Sequence, residues 1–412
     1  MKQWSTLRKL LLLRLIMGGG VPIETLTATG TSPLSLANAI AHRILSLTQT
    51  GKCSQASTPT PTSPVDIKCN NGALKMLNLA NMTEDNIVVG KYLNNSGAEQ
   101  GAPSNFYYSP YIPVKASTAY TLKTSRSLSY SNFMEYDASK GFIKRTLYGS
   151  SGTPAGDTTT HTTGATTAYI RFGSNINGAN LTAADVLAIN WMLTEGSTAM
   201  DYVPYGQIST IGTPEVITVT HADSTTETAG AENLFAIDST RADTQDIISG
   251  LVTHKIGIKV FDGTEDWSRT SARAQVTLEN SAGGSSLWTP ICSHYNTYGA
   301  STTLADMDDG SMKYNGSGTA TLWKDSTHNT SLDDWKAWVK SQYDAGTPII
   351  LIYPLAEPTT ETVTGQPLST TAGTNTVSWT AEVSGKTMSA EYKGSTAYSN
   401  KVGTGKVGYM KI

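Results

Sequence analysis

Two acidic groupings are the residues best suited to chemistry. Asp306, Asp308 and Asp309 crowd together before Gly310, and Glu265-Asp266 stands beside Trp267. Glycoside hydrolysis uses a carboxylate pair about 5–10 Å apart, and a calcium loop collects side-chain oxygens at fixed spacing. The aspartate run fails as a calcium loop, because the fifth-position Asp or Asn and the distal Glu are missing in register. An Asp-rich surface turn is its simpler reading. Glu265-Asp266 would place an acid near an aromatic sugar platform, but Asp262-Gly263 just upstream marks it as a solvated hairpin end.

Nucleophilic and metal chemistry have less support. Gly316-Ser317-Gly318 is a glycine-flanked turn, and no G-x-S-x-G elbow occurs. The histidines, His42, His161, His221, His254, His294 and His328, are dispersed; Cys292 and His294 alone fall close together. One such pair is far from the four ligands of a structural zinc. Neither a Walker loop nor a G-x-G-x-x-G fingerprint is present. The expectation is no catalytic residue, no metal and no cofactor.

Aromatic residues carry the stronger signal. With 19 Tyr and 8 Trp against 6 Phe, the chain favours rings that bear a polar handle. Such rings stack on the apolar faces of sugars while their O–H or N–H meets water or hydroxyls. The candidates are Tyr107-Tyr108, Tyr111, Tyr130, Tyr169, Trp288, Tyr295 and Tyr298, with core packing the competing role for each. Arg171 and Asn190 read as outward strand positions. They would hydrogen-bond sugar hydroxyls or, equally, salt-bridge and cap the sheet.

Those residues need a β scaffold, and the pattern supplies one. From Asn78 to Gly206 the apolar period is two, with strands expected at Tyr107–Pro113, Thr118–Thr124, Asn132–Asp137, Phe142–Tyr148, Thr167–Phe172 and Leu187–Thr194. Ile170 and Phe172 share one face, Tyr169 and Arg171 the other; Leu187, Ile189, Trp191 and Leu193 oppose Asn190 and Met192. One buried face per strand argues for sheet on sheet. A second β-rich unit holds strands at Lys255–Phe261, Arg273–Leu278, Thr319–Trp323 and Ile349–Tyr353. One helix interrupts it, opened by Ser331 with Asp334 and closed by Gly346. Asn375–Val383 and Thr387–Tyr392 read as a hairpin about Ser384-Gly385.

The N-terminal part differs. Lys2, Arg8 and Lys9 precede an apolar run, Leu10 to Met17, that Arg14 interrupts; it is too short for a membrane span. It reads as a hydrophobic anchor helix, with Leu7, Leu10, Leu11 and Leu15 buried by neighbouring chains. A second helix is expected from Pro33 to about Leu47, capped by Ser32, with Leu36, Ile40 and Ile44 on one face. Thr58 to Pro64 reads as an extended linker, followed by a hairpin turning at Asn71-Gly72. The expected organisation is a helical docking segment with its linker (1–77), a sandwich (78–207), a threonine-rich linker (208–232), a second β-rich domain (233–394) and a C-terminal arm (395–412).

Composition narrows the function. Only 15% of the 412 residues are charged, with Thr, Ser, Gly and Asn filling the deficit; about 25% is usual. With 30 basic and 33 acidic residues, nothing builds a positive groove for nucleic acid. Cys53, Cys69 and Cys292 are too few for a disulfide framework. A Cys53–Cys69 bridge and reduced thiols both remain open, with reduced thiols preferred.

The opening PYIPV at Pro110, the string AYIRF and the closing EGSTAMDYVPY together resemble the β-sandwich modules of phage and prophage tail proteins. MKQWSTLRKLLLLRLIMGGG, THKIGIKVFDGTEDW and DDWKAWVKSQYDAGTPIILIYPLAEPTTETV are similar to other parts of such proteins from prophages of Gram-positive gut bacteria. The Ser-Thr-Ala-Met here departs from their commoner Ser-Thr-Ala-Thr-Pro. The resemblance implies a mainly β chain of tandem jelly-roll-like sandwiches, with a short helical N-terminal segment and one helix in the second module. It implies a virion component of the tail or baseplate that binds host cell-surface polysaccharide and is not an enzyme. Other tail or baseplate proteins would be its partners, a homotrimer its favoured assembly, and its site of assembly the bacterial host cytoplasm. A purely structural tail protein and a cell-wall or capsule glycan hydrolase are the alternatives.

Overall fold

A computed structural model describes residues 23–30 and 45–411, with breaks whose longer members fall at 150–155, 176–179, 212–215, 283–288, 315–319, 366–372, 381–387, 393–398 and 402–407. The fold is mainly β, built from several largely antiparallel sheets, with two helices among the described residues. Leu7, Leu10, Leu11, Leu15, Leu36, Ile40 and Ile44 lie outside the described residues. The expected second helix does not continue to Leu47, because Leu45–Thr50 is a strand paired with Thr244–Asp246 and Met388–Tyr392. Ser, Thr and Gln dominate the end of that stretch, and sheet pairing on both sides outweighs its weak helical period.

The first sandwich stands where the period-two pattern ends its first run. Its front sheet runs in the order Phe142–Tyr148, Ser131–Tyr136, Tyr169–Asn175, Phe106–Tyr108, Val88–Val89, and Ile112–Pro113 pairs with the start of the third of these. Its back sheet is Gly156–Thr162, Ala119–Leu128, Met192–Glu195. Between the sheets Phe133, Ile170, Phe172, Leu122, Trp191 and Leu193 are buried, each contributing roughly 1.5–3 kcal/mol by leaving water. Trp191 stacks on Phe172 at 5.5 Å and meets Tyr107 edge-on at 5.3 Å.

One expected strand is corrected here. Ala183–Leu187 is a short helix, not the start of a Leu187–Thr194 strand. Thr182 and Asp185 form a reciprocal capping box that fixes the first turn. The chain then turns through Asn190 at φ 55° before Met192–Glu195 enters the back sheet.

In the second module a sheet ordered Ile291–Cys292, Ile349–Thr362, Leu251–Phe261, Thr244–Asp246, Leu45–Thr50, Met388–Tyr392 faces a five-stranded sheet that includes Arg273–Thr277 and Ala320–Lys324. The helix Leu332–Asp344, capped by Ser331, buries Trp335 and Val339 against Phe261, Trp267 and Trp323. Met388–Tyr392 and Gly373–Thr380 join different sheets, so the expected hairpin does not form. Gly373–Thr380 pairs instead with Ile23–Gly30 and Val216–Thr220, and Ile23–Gly30 also pairs with Gly408–Lys411.

The threonine-rich stretch carries the strands Ile208–Ile211, Val216–Thr220 and Thr226–Gly230, each with a partner. Ile208–Ile211 extends a small sheet with Gly72–Met76, Lys68–Cys69 and Cys53–Ser54. Gly72, expected in the turn, is a strand residue paired with Cys69, and Asn71 lies outside the described residues. The first sandwich and the second module also touch directly. Tyr205 packs edge-on against Tyr343 at 5.4 Å, and Asn81 donates to Asp344.

Candidate functional site

Alternation along the Ser131–Tyr136 and Tyr169–Asn175 strands sends Phe133, Ile170 and Phe172 inward. It leaves Asn132, Met134, Tyr136, Tyr169 and Arg171 on the outer face of the front sheet. Tyr108 joins them opposite Gly173. A Cβ at position 173 would meet the Tyr107 carbonyl oxygen at 2.8 Å, so glycine leaves a dimple between Asn132 and Tyr108. A hairpin, Lys91–Leu93 with Glu99–Gly101, lies over the middle of the face and buries Leu93 against Tyr108, Met134 and Tyr136.

To one side of the hairpin is a cage of rings. Arg171 stacks its guanidinium on Tyr108 at 4.3 Å and on Tyr111 at 4.5 Å, and its Nε donates to the Ser109 carbonyl at 3.0 Å. Tyr111 meets Tyr136 at 4.8 Å and Tyr169 at 6.1 Å, both edge-on. Lys140 reaches over the Tyr111 and Tyr169 rings at 5.1 and 5.8 Å. The Tyr108 hydroxyl donates to Glu99, which Lys91 also pairs. Burial, and then that hydrogen bond, pushes the Tyr108 hydroxyl up to about 12, so it stays a proton donor.

To the other side the face opens as a polar groove of about 780 Å³ lined by Tyr92, Asn94, Asn95, Phe106, Asn132 and Arg145. Arg145 Nε donates to Asn132 at 2.8 Å and Nη1 donates to Asn95. Tyr92 is exposed and packs on Phe106 at 5.7 Å. Amide groups, a guanidinium and exposed rings on one shallow surface can stack on a sugar ring and hydrogen-bond its hydroxyls.

The expected site residues divide accordingly. Tyr169 and Arg171 lie together in the cage, half-buried. Asn190 is not an outward strand residue but an exposed turn residue after the helix, away from that face. Tyr295 offers no ring to a ligand, because it is fully buried and its hydroxyl donates to buried Asp325 at 2.7 Å. Tyr298 is half-buried on the second module and donates to Asp308 at 2.8 Å. Tyr130 and Trp288 lie outside the described residues. Arg145, Asn132, Tyr92 and the hairpin were missed; the alternation around Phe133 marks Asn132 as outward, whereas the hairpin's place over the sheet has no local signal.

The acidic candidates serve their own loops. Asp308 and Asp309 accept from Tyr298 and Ser326. Glu265 accepts from Asp262 N, Gly263 N and the Trp267 indole. A Tyr148–His161–Glu135 series between the two sheets has the order of a proton relay, at 3.0 and 2.9 Å. Glu135 is fully buried there, and Gly164, Thr167, Lys144 and His161 occupy its oxygens. The series ties front sheet to back sheet, with Glu135 and His161 themselves closed to solvent. Burial lowers the His161 pKa. Burial works against ionisation of Glu135 too, but the hydrogen bonds from Thr167 and Gly164 hold its carboxyl below the usual range.

No protein-family model matches the chain, and no curated protein or solved structure matches it.

Proposed function

We propose that this chain is a phage tail- or baseplate-associated structural protein whose first sandwich binds host cell-surface glycan without cleaving it. The virion setting rests on the sequence resemblance, and the mainly β, sandwich-like fold accords with it. Under this reading the leucine-rich head docks to other tail proteins or within a homotrimer, and repeated copies turn weak contacts into avidity.

The observation that carries glycan binding is the outer face of the front sheet. Half-buried Arg171, Tyr111 and Tyr169, set over fully buried Tyr108 and Tyr136, form a prearranged aromatic and hydrogen-bonding surface, and the groove at Asn132 and Arg145 opens on the other side of the hairpin. Rings already fixed by packing lose little entropy on binding a sugar. The test is retention of the full chain on Gram-positive cell walls. Soluble wall polysaccharide should compete it away, and no reducing ends should appear. Stable particle assembly with no retention on any wall would leave a purely structural tail protein as the answer.

A further inference from the structure

We infer that the glycan recognised by this face is anionic, bearing carboxylate or phosphate groups; this rests on the glycan-binding reading above. Met134 pairs with Arg145 on one side and Arg171 on the other, so the two arginines stand in one cross-strand row. Strands about 4.8 Å apart put their Cα atoms roughly 10 Å from each other. Lys140 adds a third cation over the tyrosine cage.

Charge matching is what makes the row informative. Among the described residues of this sandwich the ion pairs are Lys91–Glu99, Lys115–Glu195, Lys123–Asp201 and Lys144–Glu135, together with His161–Glu135. Among the described residues, Arg145, Arg171 and Lys140 have no carboxylate at ion-pair distance. Glu99, which interacts with Arg171 only at longer range, is already engaged by Lys91 and the Tyr108 hydroxyl. Three cations without an ion-pair contact therefore lie on one face of a chain whose formal charge is −3.

A neutral sugar would satisfy the rings and amides and leave those cations without a counter-charge. An anionic one would add charge-assisted hydrogen bonds, about twice as strong as neutral ones, and a guanidinium fork matches carboxylate and phosphate alike. Arg145 also borders a second shallow depression, of about 370 Å³, with Phe142, Lys144 and Leu147. Depressions on both sides of one arginine suit a polymer that crosses the sheet rather than a single terminal sugar.

The experiment measures binding of the full chain to polygalacturonate, to poly(glycerol phosphate) and to neutral dextran, followed by an array of neutral and charged glycans. Binding to one or both polyanions is expected, with the two probes separating carboxylate from phosphate. Affinity should fall as salt rises. Lys140→Gln and Arg145→Gln should each weaken polyanion binding about 10-fold, the equivalent of one charge-assisted hydrogen bond, while Lys115→Gln on the far side leaves it unchanged. Lys140 is exposed, so K140Q keeps the test intact if R145Q fails to fold. Binding of neutral glycans that K140Q and R145Q leave within twofold would overturn the anionic assignment and leave glycan binding standing. No binding to any glycan would overturn both.

Discussion

Cys53 and Cys69 face each other across an antiparallel strand pair with their sulfurs 2.8 Å apart. Both thiols are buried and unbridged. Burial, and then the hydrogen bond to Cys53, pushes the Cys69 thiol well above its ordinary range, so little thiolate forms at neutral pH. Oxidation by diamide or oxidised glutathione should therefore be slow near pH 7 and faster at alkaline pH. The product should be a Cys53–Cys69 disulfide, lowering titratable thiols in the unfolded chain from three to one. A loop of this size should gain about 3 kcal/mol of stability on closure. Three thiols persisting after prolonged alkaline oxidation would show that the pair cannot close.

Arg171→Ala should cost about 1–2 kcal/mol, through two lost cation–π contacts and the packing of the arginine stem. Arg171→Lys should recover less than half, since an ammonium cannot lie flat on both Tyr108 and Tyr111. Chemical denaturation of the two variants decides it; equal stability of R171K and the parent would mean the stacking contributes nothing.

Acid should destabilise the protein in a definite window. Burial holds the His294 pKa down at about 4, and lowers that of His161 as well. The unfolded chain takes up these protons first, near the ordinary value of 6.5. Stability is thus fully present above pH 6.5, falls as the pH drops toward 4, and then levels for His294. About 1.4 kcal/mol per pKa unit makes the His294 share on the order of 3 kcal/mol. His294→Asn keeps a polar group near Ser293 and should flatten the slope in urea melts between pH 6.5 and 4. An unchanged slope would remove His294 as its source.

Gly206→Ala tests the contact between sandwich and second module. Position 206 has φ +84°, and an added Cβ would lie 1.9 Å from the Tyr343 hydroxyl. Left-handed strain of about 1–2 kcal/mol and the clash should act together. Tyr343→Phe alone should be near neutral, yet should restore part of the loss in the double variant. Additive effects instead would place the ring elsewhere.

Much of the scaffold was readable because burial on one face leaves a period of two. Ile170 and Phe172 against Tyr169 and Arg171 fell as expected, and so did the Ser331-capped helix. Leu187–Asn190 misled because Val186, Ile189 and Trp191 are buried whether the segment is helix or strand. The decisive sign was Thr182 three residues before Asp185. Tyr295 misled for a different reason. Its polar partner, Asp325, lies 30 residues away, and that distance hides a tyrosine fit for the core. The groove depends on a hairpin folding over a sheet, a tertiary event that local spacing does not encode.

The pairing of Ile23–Gly30 between Gly373–Thr380 and Gly408–Lys411 sets the order of events at the ribosome. Ile23–Gly30 must wait, edges bare, until the chain has been synthesised through residues 373–380 and 408–411. The intervening sandwich can close meanwhile, since its partners lie near one another in the chain. A nascent chain stalled before residue 373 would leave that early ribbon without its neighbours, a target for chaperones or for another copy's tail end.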